Sequence, residues 1–223
     1  MEILKYQTPL LDSNMYLLIQ DNHAVIIDPF WDEDLWREKL QEVYVDWILF
    51  THEHYDHISG AEQFRKRFQS KVLCAESCAQ LIENPICNLS HYYKDYVQIA
   101  QTKYDDSLKE TTNNDYICKA DELFPDGDFS LKWNGNCLYF FRTPGHSPGS
   151  YCILLNSQIL FSGDTLLPPD SKIIIAPGGR KKKLFEVTLP LLRKLPIQTI
   201  VYPGHYEPFY LNTHPLINSS NNI

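Results

Sequence analysis

The sequence lacks the features that carry a chain through a membrane or onto nucleic acid. No run of about 18 apolar residues is present, and a membrane-spanning helix needs one. The first twenty residues contain no basic region followed by a long apolar segment, so they do not predict a signal peptide. The net charge of -8 argues against a broad nucleic-acid-binding surface. We therefore expect a cytoplasmic protein that has neither a membrane nor a nucleic acid as its partner.

Closely spaced cysteine pairs are also missing. The six cysteines show no CxxC spacing, and in a reducing compartment such residues are mostly buried thiols. Cys74 and Cys78 stand four apart and could share one face of a helix, but they have no further ligand residues nearby. The sequence therefore predicts structural thiols at Cys74, Cys78, Cys87, Cys118, Cys137 and Cys152.

Short β-rich runs alternate with helical patterns along the chain. The runs 15–20 and 24–29 flank Asp21-Asn22-His23 and predict a hairpin, and Asn156-Ser157 predicts another tight turn. This alternation predicts an α/β fold (α+β) in a single domain over 1–223. Residues 84–122 are polar and rich in tyrosine, so we expect a helical and loop excursion over the surface there.

Three helices are predicted, over 32–43, 59–68 and 183–196. Ser59 and Glu62 have capping-box spacing at the start of the second helix. Pro190 lies inside the third helix and is expected to kink or interrupt it.

The stretch FTHEHYDH, residues 50–57, concentrates metal-binding side chains directly after an apolar strand. In extended backbone, residues i and i+2 point to the same side, which would bring His52, His54 and Asp56 together with His57 turned away. A helical HExxH zinc site would require histidine at position 56, where aspartate stands. The segment therefore indicates a metal site of a different kind.

Three further residues follow apolar strands in the same way. His146 and His205 each follow a Pro-Gly pair, and Asp164 ends the run FSGD. A single histidine at a strand end is usually structural, but several such residues beside the dense cluster favour one shared site. Ligands gather at the carboxyl ends of strands in α/β sheets, which supports the same interpretation.

Four motifs, in this order, resemble those of the metallo-β-lactamase-fold hydrolases. They are THxHxDH (Thr51–His57), PGHSPGS (Pro144–Ser150), GDTL (Gly163–Leu166) and PGH (Pro203–His205). The resemblance covers residues 14–207 and implies a four-layer αββα metallo-β-lactamase sandwich. Pro29-Phe30 departs from the family, in which a glycine is usual after the early aspartate, here Asp28.

The resemblance implies a role for each candidate residue. His52, His54 and His146 would hold one divalent ion; Asp56, His57 and His205 would hold a second; Asp164 would bridge both. The two ions would be zinc, with iron or manganese as alternatives, and Asp56 and Asp164 would be the catalytic carboxylates. Asp28 would accept a hydrogen bond that orients a ligand histidine. Glu53 and Tyr55 occupy variable positions, where Tyr55 could face substrate.

The implied activity is hydrolysis of a small-molecule substrate by a hydroxide shared between two metal ions. Aspartate at position 164, where β-lactamases generally have cysteine at the second metal, favours the glyoxalase II-like thioesterases and lactonases. The residues after His205 are too few for the helical region with which glyoxalase II binds glutathione. No flavodoxin or RNA-binding module is expected, which argues against flavodiiron and nuclease relatives.

Several alternatives remain open at this point. A persulfide dioxygenase would use a single iron on His52 or His54 with His146 and Asp164, and a metal-binding scaffold without catalysis is a third hypothesis. The basic run GGRKKK, 178–183, could attract an anionic substrate, but a solvated turn is favoured. His91, Tyr92, Tyr93 and Tyr96 could line a substrate cleft or pack as a helix face.

Overall fold

The computed structural model describes residues 1–93, Asp95 and 115–218. The chain divides into two compact units, Met1–Phe124 and Pro125–Ile223, which we call the N-terminal and C-terminal units. In the part of the chain that is described, no helix is long and apolar enough to cross a membrane.

The N-terminal unit is built on a six-stranded mixed sheet in the order β1-β2-β3-β4-β5-β6. Its first three strands are antiparallel, and β3 to β6 run parallel. Asp21 and Asn22 form the β2–β3 turn with φ of 52° and 61°, so the predicted hairpin is confirmed. The strands are β1 (Glu2–Gln7), β2 (Asn14–Gln20), β3 (His23–Ile27), β4 (Tyr44–Leu49), β5 (Lys71–Ala75) and β6 (Glu122–Phe124).

Four α-helices lie between these strands among the described residues. They are α1 (Glu33–Lys39), α2 (Tyr55–Ile58), α3 (Ala61–Phe68) and α4 (Glu76–Ile82), and a 3₁₀ turn covers Ser90–Tyr92. Trp36 of α1 and Phe64 of α3 are buried, with ring centroids 5.5 Å apart. This aromatic contact joins two helices of the unit to one apolar core.

Two sequence predictions for this unit are wrong. The capping box is absent, because Gly60 is the residue that precedes α3, and Ser59 has helical backbone at the end of α2. Cys74 and Cys78 do not share a helix face, because the first lies in β5 and the second in α4. Both are nevertheless buried, and the hydrogen bond that the Cys78 thiol donates to Cys74, together with burial, raises the pKa of Cys78 well above its usual value.

The C-terminal unit is built on a second six-stranded sheet, in the order β12-β11-β10-β9-β8-β7. Only β10 and β11 pair in parallel; the other pairs are antiparallel. The predicted turn at Asn156-Ser157 is confirmed, with φ of 49° and 58°. The strands are β7 (Phe129–Trp133), β8 (Asn136–Arg142), β9 (Tyr151–Leu155), β10 (Ile159–Gly163), β11 (Ile200–Pro203) and β12 (Phe209–Tyr210).

Regular helix is interrupted before Pro190, as the sequence predicts. The segment consists of α5 (Lys181–Lys183), a π-helical stretch (Leu184–Thr188) and α6 (Leu189–Leu192), so that Pro190 lies in the first turn of α6. Proline has no backbone N–H, so the regular α-helical hydrogen-bond pattern is broken at this position. A 3₁₀ turn (Leu211–Thr213) and α7 (Pro215–Asn218) follow, and Leu184, Leu189 and Leu192 are buried in the core of the unit.

The predicted excursion over 84–122 lies mainly outside the described residues. Its described parts are residues 84–93, Asp95 and 115–122. Tyr93 is buried and His91 and Tyr92 are exposed, whereas Tyr96 is not among the described residues.

Candidate metal centre

The N-terminal unit brings four of the seven predicted metal ligands together just after β4. The predicted convergence of His52 and His54 is confirmed, since His52 Nε2 lies 3.0 Å from His54 Nδ1. Asp56 and His57 lie instead on the short helix α2, so the prediction of extended backbone through Asp56 is wrong. Asp56 Oδ2 is 3.4 Å from His57 Nε2, and all four residues are buried.

Thr51 fixes which nitrogen of His52 presents a lone pair. Its hydroxyl donates its one hydrogen to Asp28 Oδ2 at 2.6 Å, so it must accept from His52 Nδ1 at 3.0 Å. The proton of a neutral His52 ring therefore sits on Nδ1, and Nε2 presents its lone pair toward His54. The sequence predictions assign no role to Thr51, although it is the first residue of the THxHxDH motif.

Asp28 is the hydrogen-bond acceptor at the centre of this arrangement. Its Oδ1 accepts from the Thr51 backbone N–H at 2.8 Å, and its Oδ2 accepts from the Thr51 hydroxyl and from His57 Nδ1 at 3.1 Å. The predicted contact of Asp28 with a motif histidine is confirmed. Asp28 has a φ of 57° directly after β3, in a backbone region that aspartate tolerates better than most residues.

The C-terminal unit brings together the other three predicted ligands. Asp164 Oδ2 lies 3.7 Å from His146 Nε2 and 3.4 Å from His205 Nε2. Asp164 and His205 are adjacent because they follow the parallel strands β10 and β11, and Gly204 N–H donates to the Gly163 carbonyl at 2.9 Å. His146 Nδ1 donates to the Ile174 carbonyl at 3.0 Å, which leaves its Nε2 as the lone-pair nitrogen.

These spacings suit metal ligands. Two nitrogens bound tetrahedrally to one zinc ion at the usual Zn–N length would lie about 3.3 Å apart. The His52–His54, Asp56–His57 and Asp164–His205 atom pairs lie 3.0 to 3.4 Å apart, with imidazole and carboxylate donors throughout. Zinc, iron and manganese all accept such a donor set.

The basic run GGRKKK holds the loop that carries His146. Arg180 N–H donates to the Gly145 carbonyl at 2.8 Å, and Ala176 N–H donates to the His146 carbonyl at 2.9 Å. A Cβ at Gly179 would overlap that same His146 carbonyl, so only glycine fits. The three lysines are exposed, as a solvated segment requires, but the role of the glycine is not visible from the sequence.

The variable positions of the motif are both buried. Tyr55 packs against Tyr93 and Tyr116, with ring centroids 5.1 and 5.3 Å away. Glu53 is also buried but does not belong to any cluster of metal-ligand atoms among the described residues. The exclusion of Glu53 from the ligand set remains a prediction.

A small cavity adjoins Asp164 in the C-terminal unit. Its volume is about 190 Å³, and its walls include Leu166, Leu167 and Ile174. Lys172 and His214 also line it. The cavity is predominantly apolar and lies directly beside a predicted bridging carboxylate.

The family model of the metallo-β-lactamase superfamily matches residues 8–205. The chain belongs to this superfamily. A probable polyketide biosynthesis zinc-dependent hydrolase of Bacillus velezensis is 27% identical over 86% of the chain and 73% of its own length. The probable metallo-hydrolase YqgX of Bacillus subtilis is 26% identical over 87% of the chain and 85% of its own length. Both relatives are named as metal-dependent hydrolases.

Solved structures confirm the predicted fold class, the metallo-β-lactamase sandwich. The B3 metallo-β-lactamase BLEG-1 matches with a TM-score of 0.72 and 26% identity over 98% of the chain and all of its own length. ETHE1 from Myxococcus xanthus matches with a TM-score of 0.65 and 21% identity over 99% of the chain and 86% of its own length. The second likeness shows the fold alone.

Proposed function

We propose that this chain is a hydrolase that uses two divalent metal ions, which we assign as zinc, to cleave a small ester-like substrate. The substrate class is a thioester or a lactone. The observation that carries the proposal is the position of Asp164, one oxygen of which lies 3.7 Å from His146 Nε2 and 3.4 Å from His205 Nε2. A carboxylate oxygen placed beside two imidazole nitrogens suits a ligand that bridges two ions.

The ligand assignment combines the family pattern with the contacts inside each unit. His52, His54 and His146 would hold the first ion, Asp56, His57 and His205 would hold the second, and Asp164 would bridge them. The hydrogen bonds of His52 Nδ1, His57 Nδ1 and His146 Nδ1 support this, because each leaves Nε2 as the lone-pair nitrogen. His54 would bind through Nδ1, the atom that faces His52.

When bound, two such ions would supply a nucleophilic hydroxide near neutral pH and would polarise the carbonyl under attack. The chain's own residues orient the reaction. Asp56 would bind the second ion through Oδ2, and its other oxygen would accept the proton that water loses when the hydroxide forms. Asp28 and Thr51 hold His52 and His57 in the required tautomers throughout.

The cavity beside Asp164 supports a small, mostly apolar substrate group. At about 190 Å³ it can take a few carbon atoms but no large ligand. Aspartate rather than cysteine at the bridging position supports thioesters and lactones over β-lactams, as in the family pattern.

Hydrolysis of a substrate panel tests this proposal. Purified protein is assayed on acyl thioesters, lactones and phosphodiesters, together with Asp164→Ala, His146→Ala and the control His23→Ala. His23 pairs with Asp46 at 2.9 Å, away from the proposed ligands, so its loss should leave activity intact. We expect thioester or lactone turnover that both site variants abolish.

Three results would contradict the proposal. Full activity in Asp164→Ala and His146→Ala would exclude the assigned residues. A single iron with oxygen uptake on persulfide substrates would indicate the dioxygenase reaction. Retained metal without turnover of any panel member would indicate a scaffold.

A further inference from the structure

The N-terminal unit contains a second, larger cavity that the proposed metal ligands do not line. Its volume is about 700 Å³, within the range of small-molecule sites. Its walls come from the β1–β2 connection, the segment after β3, helix α2, the start of α3 and residues 115–117. Tyr55 lines it, and this residue stands between His54 and Asp56 in the motif.

The walls of this cavity are chiefly aromatic and aliphatic. Leu10, Tyr55 and Tyr116 are buried, Phe30 and Trp31 are half-buried, and Ile117 is exposed. Trp31 is fixed by an edge-to-face contact with Phe64, with ring centroids 4.9 Å apart. Such walls bind an apolar group by removing its surface from water.

One polar atom on the wall lacks a hydrogen-bond partner. The Ser59 hydroxyl is buried, with 8% of the residue exposed, and it makes no hydrogen bond to any described residue. A buried hydroxyl in that state is costly, and rotation of the Ser59 side chain toward the cavity would let an oxygen atom of a ligand satisfy it. This atom therefore points to an occupant that carries a hydrogen-bond acceptor.

The charged residues on the wall are all acidic. Asp32, Glu62 and Asp115 line the cavity, whereas none of the described wall residues is lysine, arginine or histidine. Arg65 pairs with Glu62 at 2.7 Å, and His91 contacts Asp115 at 2.7 Å. An anionic ligand group would meet repulsion from the acidic residues among the described wall residues.

We propose that this cavity binds the uncharged apolar portion of the substrate, an acyl chain or aryl group with one acceptor oxygen for Ser59. Tyr55 of the cavity wall lies on the same short helix, α2, as the proposed metal ligands Asp56 and His57. The assignment to substrate rests on the proposed hydrolase function, whereas ligand binding in the cavity does not.

Binding of octanamide, a neutral eight-carbon amide, tests the cavity without turnover. Its dissociation constant is measured by titration calorimetry on the purified protein. Ile117→Trp should fill the cavity and weaken binding at least tenfold, and Ser59→Ala should weaken it about fivefold. Ile86→Trp is the matched control, because Ile86 is similarly exposed but does not line the cavity. Circular dichroism of each variant separates lost binding from lost folding.

Thioester kinetics then test selection by charge. The octanoyl and 7-carboxyheptanoyl thioesters of N-acetylcysteamine differ only at the chain end, and the neutral one should have at least a tenfold lower KM. Octanamide binding that Ile117→Trp removes, without turnover of either thioester, would support the cavity and contradict the hydrolase function. Turnover with an unchanged KM in Ile117→Trp, or absence of octanamide binding, would overturn the cavity proposal.

Discussion

Replacement of Asp28 by asparagine should disable metal binding while it preserves the shape of the site. Asparagine tolerates the left-handed backbone of this position as aspartate does, so the change isolates the loss of an acceptor. One oxygen of the amide can still accept from the Thr51 N–H. The NH₂ group then faces the Thr51 hydroxyl and His57 Nδ1, which both donate to Asp28 Oδ2 in the native protein.

The expected loss of metal affinity follows from the tautomers of His52 and His57, which change together. Thr51 can no longer donate to position 28, so its hydroxyl donates to His52 Nδ1 instead and shifts the ring proton to Nε2. His57 loses the acceptor for Nδ1–H, so its Nε2 also loses its defined lone pair. Loss of one such supporting contact typically lowers metal affinity about 10- to 100-fold, or about 1.4 to 2.8 kcal/mol per ion.

Competition with a fluorescent zinc chelator measures this affinity directly. Asp46→Asn is the matched control, because Asp46 contacts His23 Nδ1 at 2.9 Å on the partly exposed surface. We expect at least a tenfold loss of zinc affinity in Asp28→Asn and no loss in Asp46→Asn. Equal zinc affinity in Asp28→Asn and the wild type would refute the tautomer argument.

Three further results are expected. Gly179→Ala should displace the His146 carbonyl and lower the free energy of zinc binding or of unfolding by roughly 1 to 3 kcal/mol, as in an overpacked site. A Cβ at Gly127 would meet no atom within 4 Å, so Gly127→Ala should cost only the strain of its backbone. Equal effects of the two changes would contradict the steric account. Burial lowers the pKa of His214, and Leu216 N–H donates to its Nδ1, so its contribution to stability should be lost as pH falls below the ordinary histidine pKa of about 6.5. Urea unfolding at pH 8 and pH 5 should show a smaller decrease in His214→Gln than in the wild type, and an identical decrease would exclude this contribution. Chelation of the metal should lower the unfolding temperature, since ligands that bind only the folded state stabilise it, and an unchanged midpoint would show that no ion is bound.

Much of the fold could be predicted because local chemistry determines it. The turns at Asp21-Asn22 and Asn156-Ser157 need residues that accept positive φ, and both pairs contain such residues. Pro190 likewise ends one helical segment and begins another. The capping box could not be judged in this way, because the short helix α2 uses Ser59 as its last turn and leaves Gly60 to precede α3.

The ligand residues of the candidate site could be predicted from the sequence, but the residues that hold those ligands in place could not. Histidine and aspartate at strand ends are visible as motifs. The roles of Thr51, Ile174 and Gly179 depend on which backbone and hydroxyl groups contact the histidines after folding. Gly179 and His146, for example, are 33 residues apart in the sequence. A sequence motif does not show such long-range contacts.

The metal stoichiometry of the purified protein tests the central claim most directly. Elemental analysis of the wild type should give two zinc-like ions per chain. Asp164→Ala, which removes the proposed bridging ligand, should retain one or none. A single ion in the wild type, or two ions in Asp164→Ala, would contradict a dinuclear centre bridged by this carboxylate.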